Sequence, residues 1–220
     1  KKISILGDSI STYTDFSNNT KYNSTIRNNS VYYNDYRPNR DPVHMSLTLE
    51  DTWWMQVINK LGMKLLKNNS YSGTCVSSGT GSYSTVEDNR LKELLFGTEA
   101  PDIIIIFMGS NDCGSAYVKD ETFKSSYKIM LDKIKVLCPN SEIYIMTLPP
   151  SMLYKEANRV NYNKVIRDYA NEYKLPIVEM DNAYNGEDCT NFLVDSAHQT
   201  FAGMTKVAEA VVKGMLESKG

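Results

Sequence analysis

Histidine is scarce in this 220-residue chain: there are only two, His44 and His198. Cysteine is little more common. Cys75, Cys113, Cys138 and Cys189 are too scattered for a disulfide scaffold, and no two stand in C-x-x-C spacing. With so few histidines, that argues against a structural zinc site. No apolar run approaches the roughly 20 residues that a membrane helix needs. Charge of either sign is nearly balanced, with a formal net of −2. A broad electrostatic attraction to nucleic acid or to an anionic membrane is therefore not expected. No G-x-G-x-x-G follows the first apolar run, so a dinucleotide-type phosphate loop is missing. No internal repeat, low-complexity tail or linker breaks the chain. No apolar leader precedes the first strand. A cytoplasmic place is expected on that ground, with secretion open if a leader has been removed.

What is present is ordinary for a soluble globular protein: 41% apolar and 23% charged residues. A chain of this length buries roughly 70–75% of its extended-chain surface, enough for a full core without staples. One domain over residues 1–220 is expected, carrying a polar, tyrosine-rich insert at about 12–50.

The pattern alternates strands and helices. Ile3–Leu6 reads as a short buried strand that breaks at Gly7. Asp51 reads as the cap of a helix through Trp53, Trp54, Val57, Ile58 and Leu61. Met63–Leu66 reads as a second strand, ending in a polar turn over Asn68–Gly73. Val86–Phe96 reads as a helix closed by Gly97. Asp102–Met108 is the clearest strand, apolar on both faces as a central parallel strand should be. Further helices are expected at about 120–137, 157–173 and 199–216, with strands at 142–147 and 176–180. The order is that of an α/β protein with right-handed crossovers: a doubly wound, three-layer α/β/α sandwich on about five parallel strands.

In such a sheet, ligands bind at the carboxyl ends of the strands. The turns expected there carry Ser9, Gly73 and Asn111, and the last loop carries Asp195 and His198. A serine hydrolase needs a nucleophile, a base, a group that orients the base, and donors for an oxyanion. Each role has a residue of the right type at one edge of the sheet. His198 follows Asp195 by three positions, so a tight turn or the first turn of a helix could hold both on one face.

Gly7-Asp8-Ser9, Gly73, Gly109-x-Asn111-Asp112 and Asp195-x-x-His198 together resemble the four sequence blocks of the SGNH (GDSL) hydrolase family. The blocks occur in order, from residue 7 to residue 198. Ile10 departs from the family's leucine, and the match around Gly73 is the loosest. The resemblance implies the flavodoxin-like SGNH hydrolase fold. It implies Ser9 as nucleophile, His198 as general base and Asp195 as third triad member. It implies an oxyanion hole from the Ser9 and Gly73 amides and the Asn111 side chain. The implied reaction is hydrolysis of carboxylic esters without metal or cofactor.

The aromatic insert points to a small-molecule or carbohydrate ester as partner, with short acyl groups such as acetyl, because tyrosines offer flat apolar faces with polar tips. Tyr33, Tyr36 and Trp53 are the expected substrate-binding residues. Trp53 and Trp54 also read as packing, and His44 as a surface residue. A lipid acylhydrolase or thioesterase is the nearest alternative. A non-catalytic carbohydrate-binding member is another, although such members usually lose the serine or the histidine. Cys75 and Cys113 each lie two residues beyond an oxyanion candidate, so they are expected close together, with a disulfide between them left open.

Overall fold

The structure, a computed structural model, describes residues 1–13, 32–33, 47–79, 83–115 and 118–219. Most of the 12–50 insert, with Tyr36 and His44, lies outside the described residues.

Five strands form one parallel sheet: β1 (Lys2–Gly7), β2 (Lys64–Ser70), β3 (Ile103–Phe107), β4 (Glu142–Met146) and β5 (Ile177–Val178). Their order is β2-β1-β3-β4-β5. The chain moves outward from β1 to β2, then returns to the other side of β1 with β3. The strand order therefore reverses between β1 and β3, where a doubly wound sheet opens a crevice at its carboxyl edge. The expected three-layer α/β/α architecture is the observed one.

Side-chain alternation along β3 sorts the core into two layers. Ile103, Ile105 and Phe107 face one side, with Trp53, Trp54 and Val57 of α1 (Trp53–Lys60) and Met204, Val207 and Val211 of α6 (Phe201–Glu217). Ile104 and Ile106 face the other. They pack with α2 (Asp88–Lys92), α4 (Asp120–Leu137) and α5 (Glu156–Tyr173). The five residues of β3 are all buried. Burying each of these side chains stabilises the fold by about 1.5–3 kcal/mol.

Several boundaries differ from the sequence reading. β2 runs on through Asn68, Asn69 and Ser70, which look like a turn. Distant partners meet the side-chain amides of the two asparagines. Asn68 donates to the Ser11 carbonyl, and Asn69 both donates to the Arg90 carbonyl and accepts from the Arg90 guanidinium. The α1 cap is Thr52, whose hydroxyl accepts from the Met55 amide. Asp51 instead closes a preceding 3₁₀ turn by accepting from Thr48. The expected helix at 86–96 shrinks to Asp88–Lys92, because Phe96 and Glu99 exchange two backbone hydrogen bonds around Gly97. A short helix absent from the sequence reading, α3 (Ser110–Gly114), follows β3.

Candidate active site

β1 ends at Gly7, and only glycine fits there. A Cβ would stand 2.6 Å from the Ser11 side chain and 2.7 Å from Ser70 Oγ. The chain then turns through Asp8, whose carboxylate accepts from the Ile10 amide at 3.0 Å and starts a 3₁₀ turn over Ser9–Ser11. Ser9 thus stands in the first residue of a tight turn on the end of a central strand. First-turn amides of a helix have no intrahelical acceptor.

The last loop approaches the same edge. Asp195 accepts from the Ala197 and His198 amides, both at 2.8 Å, and so folds the loop back on itself. The Val194 amide donates to the His198 carbonyl at 2.8 Å and closes the turn. His198 Nδ1 lies 2.8 Å from Asp195 Oδ2, and His198 Nε2 lies 2.7 Å from Ser9 Oγ. Three residues spread over nearly the whole sequence are thereby in hydrogen-bond contact in the order Asp195, His198, Ser9. Burial alone pushes the Asp195 carboxyl up. Hydrogen bonds from the His198 ring, the Ala197 and His198 amides and Tyr32 outweigh it and hold the group well below the usual carboxylate range. Asp195 is therefore an anion throughout the neutral range.

The loops after β2 and β3 come to the same place. The Tyr71 amide donates to the Gly7 carbonyl at 3.3 Å, which sets the start of the β2 loop beside the Ser9 turn. Gly73 is exposed on this loop with φ +74°, a left-handed conformation that suits glycine. The Asn111 side-chain amide donates to the Thr74 carbonyl at 2.9 Å. Asn111 therefore lies against the Gly73 turn, with its second N–H still available to donate. Asp112 fastens the same loop from below: its two carboxylate oxygens accept from the Val76 and Ser77 amides, both at 2.8 Å.

Two of the expected substrate-binding residues, Trp53 and Tyr33, are buried. Trp53 is fully buried, donates to Ser11 Oγ at 3.1 Å and packs edge-on against Phe107. It belongs to the core, as the first residue of a helix whose apolar stripe faces the sheet. Tyr33 is also buried and donates to the Gln199 carbonyl at 3.1 Å. It lies behind a residue that the sequence reading passed over. Tyr32 is stacked on His198, with ring centroids 3.4 Å apart and planes 10° apart, and its hydroxyl donates to Asp195 Oδ2 at 2.7 Å. Tyr36 lies outside the described residues. The Cys75 and Cys113 thiols are both buried and no disulfide joins them. Burial pushes the Cys113 thiol up to about 12. Among the described residues, no three of His, Cys, Asp and Glu are grouped to hold a metal ion.

Beneath the site lie two buried ionisable groups, Arg90 and Asp8. The Arg90 guanidinium is fully buried and donates to the Asn69 side chain and to the Tyr83 and Gly7 carbonyls. Its planar group also lies 4.5 Å from the Tyr71 ring centroid. Asp8 is buried too, and its Oδ2 has no hydrogen-bond partner among the described residues. Burial pushes the Asp8 carboxyl up to about 7, and the nearby Asp112 adds to this; the Ile10 amide and Arg90 oppose it. The folded state thus favours the protonated acid, whereas an unfolded aspartate ionises near 4. The stability tied to Asp8 is full below about pH 4 and is lost as pH rises through about 7. Asp8→Asn keeps an acceptor for the Ile10 amide and cannot ionise. Melting midpoints at pH 5 and pH 8 should fall more steeply for the natural protein than for Asp8→Asn. Parallel midpoints would show that Asp8 does not titrate in this window.

The comparisons with known proteins agree with this architecture. A family model described as GDSL-like lipase/acylhydrolase matches residues 1–215. No curated protein sequence matches the chain. Among solved structures, a protein described as a GDSL-like lipase from Bacteroides ovatus superposes with a TM-score of 0.71 at 24% identity, covering 99% of this chain and 98% of the other. A lipase/acylhydrolase from Enterococcus faecalis gives 0.64 at 20% identity, covering 98% and 95%. A carbohydrate esterase family 3 protein from Talaromyces cellulolyticus gives 0.65 at 15% identity, covering 98% and 96%. At these identities the structures speak for the fold alone, and it is the family model, spanning almost every residue, that decides: the chain belongs to the GDSL-like lipase/acylhydrolase family and is an ester hydrolase.

Proposed function

We propose that the protein hydrolyses esters of short acyl groups, acetyl foremost, through Ser9, His198 and Asp195, with a carbohydrate as the alcohol. The observation that carries the chemistry is the unbroken contact from Asp195 through His198 to Ser9, at 2.8 and 2.7 Å. An ionised Asp195 can only accept, so in the neutral imidazole the proton sits on Nδ1. Nε2 then presents its lone pair to the Ser9 hydroxyl. As Ser9 Oγ bonds to the ester carbonyl carbon, its proton passes to Nε2. The carbonyl oxygen becomes an oxyanion, and the Ser9 and Gly73 amides and the Asn111 side chain supply donors for it. Collapse of the tetrahedral adduct breaks the bond to the alcohol, which leaves with the proton held on Nε2. Water, deprotonated by the same nitrogen, then releases the acid and restores Ser9.

The short-acyl reading rests on crowding. Tyr32 covers one face of His198, and the Tyr33 ring stands edge-on with centroids 6.2 Å apart. The carbohydrate reading rests on the tyrosine-rich insert that supplies both rings and on the likeness of fold to a carbohydrate esterase. A series of nitrophenyl esters from acetyl to decanoyl, run beside acetylated sugars, tests both. We expect kcat/KM to be highest for acetyl, to drop with each lengthening of the chain, and acetate to be released from acetylated sugars. A maximum at octanoyl or decanoyl would instead make the protein a lipid acylhydrolase.

A further inference from the structure

We propose that Tyr32 is a positioning residue for this reaction: it orients His198 and Asp195 from the insert and ties them to the turn that carries Ser9. The inference rests on the reading of Ser9, His198 and Asp195 as the reacting unit.

Tyr32 touches that unit at two points and reaches it at a third through Thr12. Its amide donates to Thr12 Oγ1 at 2.8 Å, and the Thr12 hydroxyl donates to the Ser9 carbonyl at 2.8 Å. Its phenol donates to Asp195 Oδ2 at 2.7 Å, the oxygen that also faces His198 Nδ1. Its ring lies flat on the imidazole. Tyr33 braces it from behind, edge-on at 4.8 Å, and is itself tied to the Gln199 carbonyl, one residue past His198. The pair therefore bridges two loops that are almost 190 residues apart in sequence.

Each contact has a chemical consequence. Asp195 Oδ1 is already held by two backbone amides, so the phenol completes the fixing of the carboxylate plane through Oδ2. A carboxylate that cannot rotate keeps the Nδ1–H aligned and Nε2 aimed at Ser9. The ring stack adds a second restraint, since the imidazole cannot turn about its long axis without displacing Tyr32. The stack also favours charge. When His198 takes the Ser9 proton it becomes a cation lying over an aromatic face, an arrangement that attracts cations. That attraction is larger in the transition state than in the resting enzyme, so it acts on kcat.

A packing role alone predicts loss of stability, not a selective loss of turnover. The test compares four proteins on one short ester: the natural protein, Tyr32→Phe, Tyr32→Leu and Ser9→Ala. Tyr32→Phe keeps the ring and removes the hydroxyl. It should lower kcat about tenfold, the size expected of one hydrogen bond to a charged group. KM should stay within about threefold, marking an interaction made in the transition state. Tyr32→Leu removes the ring as well and should lower kcat by roughly a further tenfold, which phenylalanine rescues. The Phe variant is the deciding one if the Leu variant does not fold. The effect of Tyr32→Phe is then measured again in an Asp195→Ala background. There it should shrink to less than about twofold, because the hydroxyl has lost the group through which it acts. An unchanged kcat in Tyr32→Phe, or an equal loss in both backgrounds, overturns the positioning role while an inactive Ser9→Ala leaves the triad standing. Hydrolysis that survives Ser9→Ala overturns the triad reading and this inference together.

Discussion

Ser9→Ala and His198→Ala should each lower kcat by about 10⁴–10⁶, with folding intact. The size follows from how the three residues are linked. Ser9 Oγ is a weak nucleophile unless a base removes its proton, and the proposal gives that role to His198 Nε2, which is in contact with it. Once either is gone, the other has nothing to act on. The double variant Ser9→Ala/His198→Ala should therefore be no worse than the single ones. Asp195→Ala should cost somewhat less, about 10⁴, because the imidazole remains and only its orientation and charge balance are lost. Stability should hardly change in Ser9→Ala, since the deleted hydroxyl leaves the Asp8 cap and the Thr12 bond to the Ser9 carbonyl in place. Melting midpoints close to that of the natural protein, together with lost turnover, are the expected pair of results. Independent, additive losses would mean that the three groups do not act as one unit.

The next largest effect is expected at Asn111. Removing one donor to a developing oxyanion costs roughly 10²–10³ in kcat. Asn111 sits in α3, whose N-cap is Gly109 in the left-handed region, directly after the central strand β3. A donor fixed on the end of a strand need not reorganise as charge forms. The Asn111 amide also holds the Thr74 carbonyl, so Asn111→Ala releases part of the Gly73 loop. Asp112 still holds the Val76 and Ser77 amides, which keeps the loop near its place. Asn111→Ala should therefore depress kcat by about 10²–10³ and change KM far less. Asn111→Asp should be at least as damaging, since it offers a carboxylate where a donor is needed. A change confined to KM would place Asn111 in ground-state binding instead.

Much of this site is legible in the sequence because its parts are local. Gly7-Asp8-Ser9 ends an apolar run, and Gly109 ends the clearest strand in the chain. The spacing of Asp195 and His198 is that of a single turn, which is how the two residues are held. What escapes the sequence is long-range. Asn68, Asn69 and Ser70 read as a turn because their polarity hides a strand, and its partners, Ser11 and Arg90, lie far along the chain. Tyr32 stands among many tyrosines in a stretch without periodicity, so nothing local separates it from Tyr33 or Tyr36. Only its contacts with Asp195 and His198, over 160 residues away, single it out. The adjacent tryptophans are the converse case. Trp53 looks like a sugar platform when taken alone, yet both rings are buried, because α1 lies flat on the sheet.

The central claim is that Ser9 carries the acyl group between the two halves of the reaction. Rapid mixing of the protein with nitrophenyl acetate, acid quench within the first turnover and mass analysis of the peptides tests it most directly. The account predicts one acetyl group on the peptide that contains Ser9, formed with a burst of nitrophenol and absent from Ser9→Ala. An acetyl group on another residue, in a protein that still turns over when Ser9 is replaced, would contradict it.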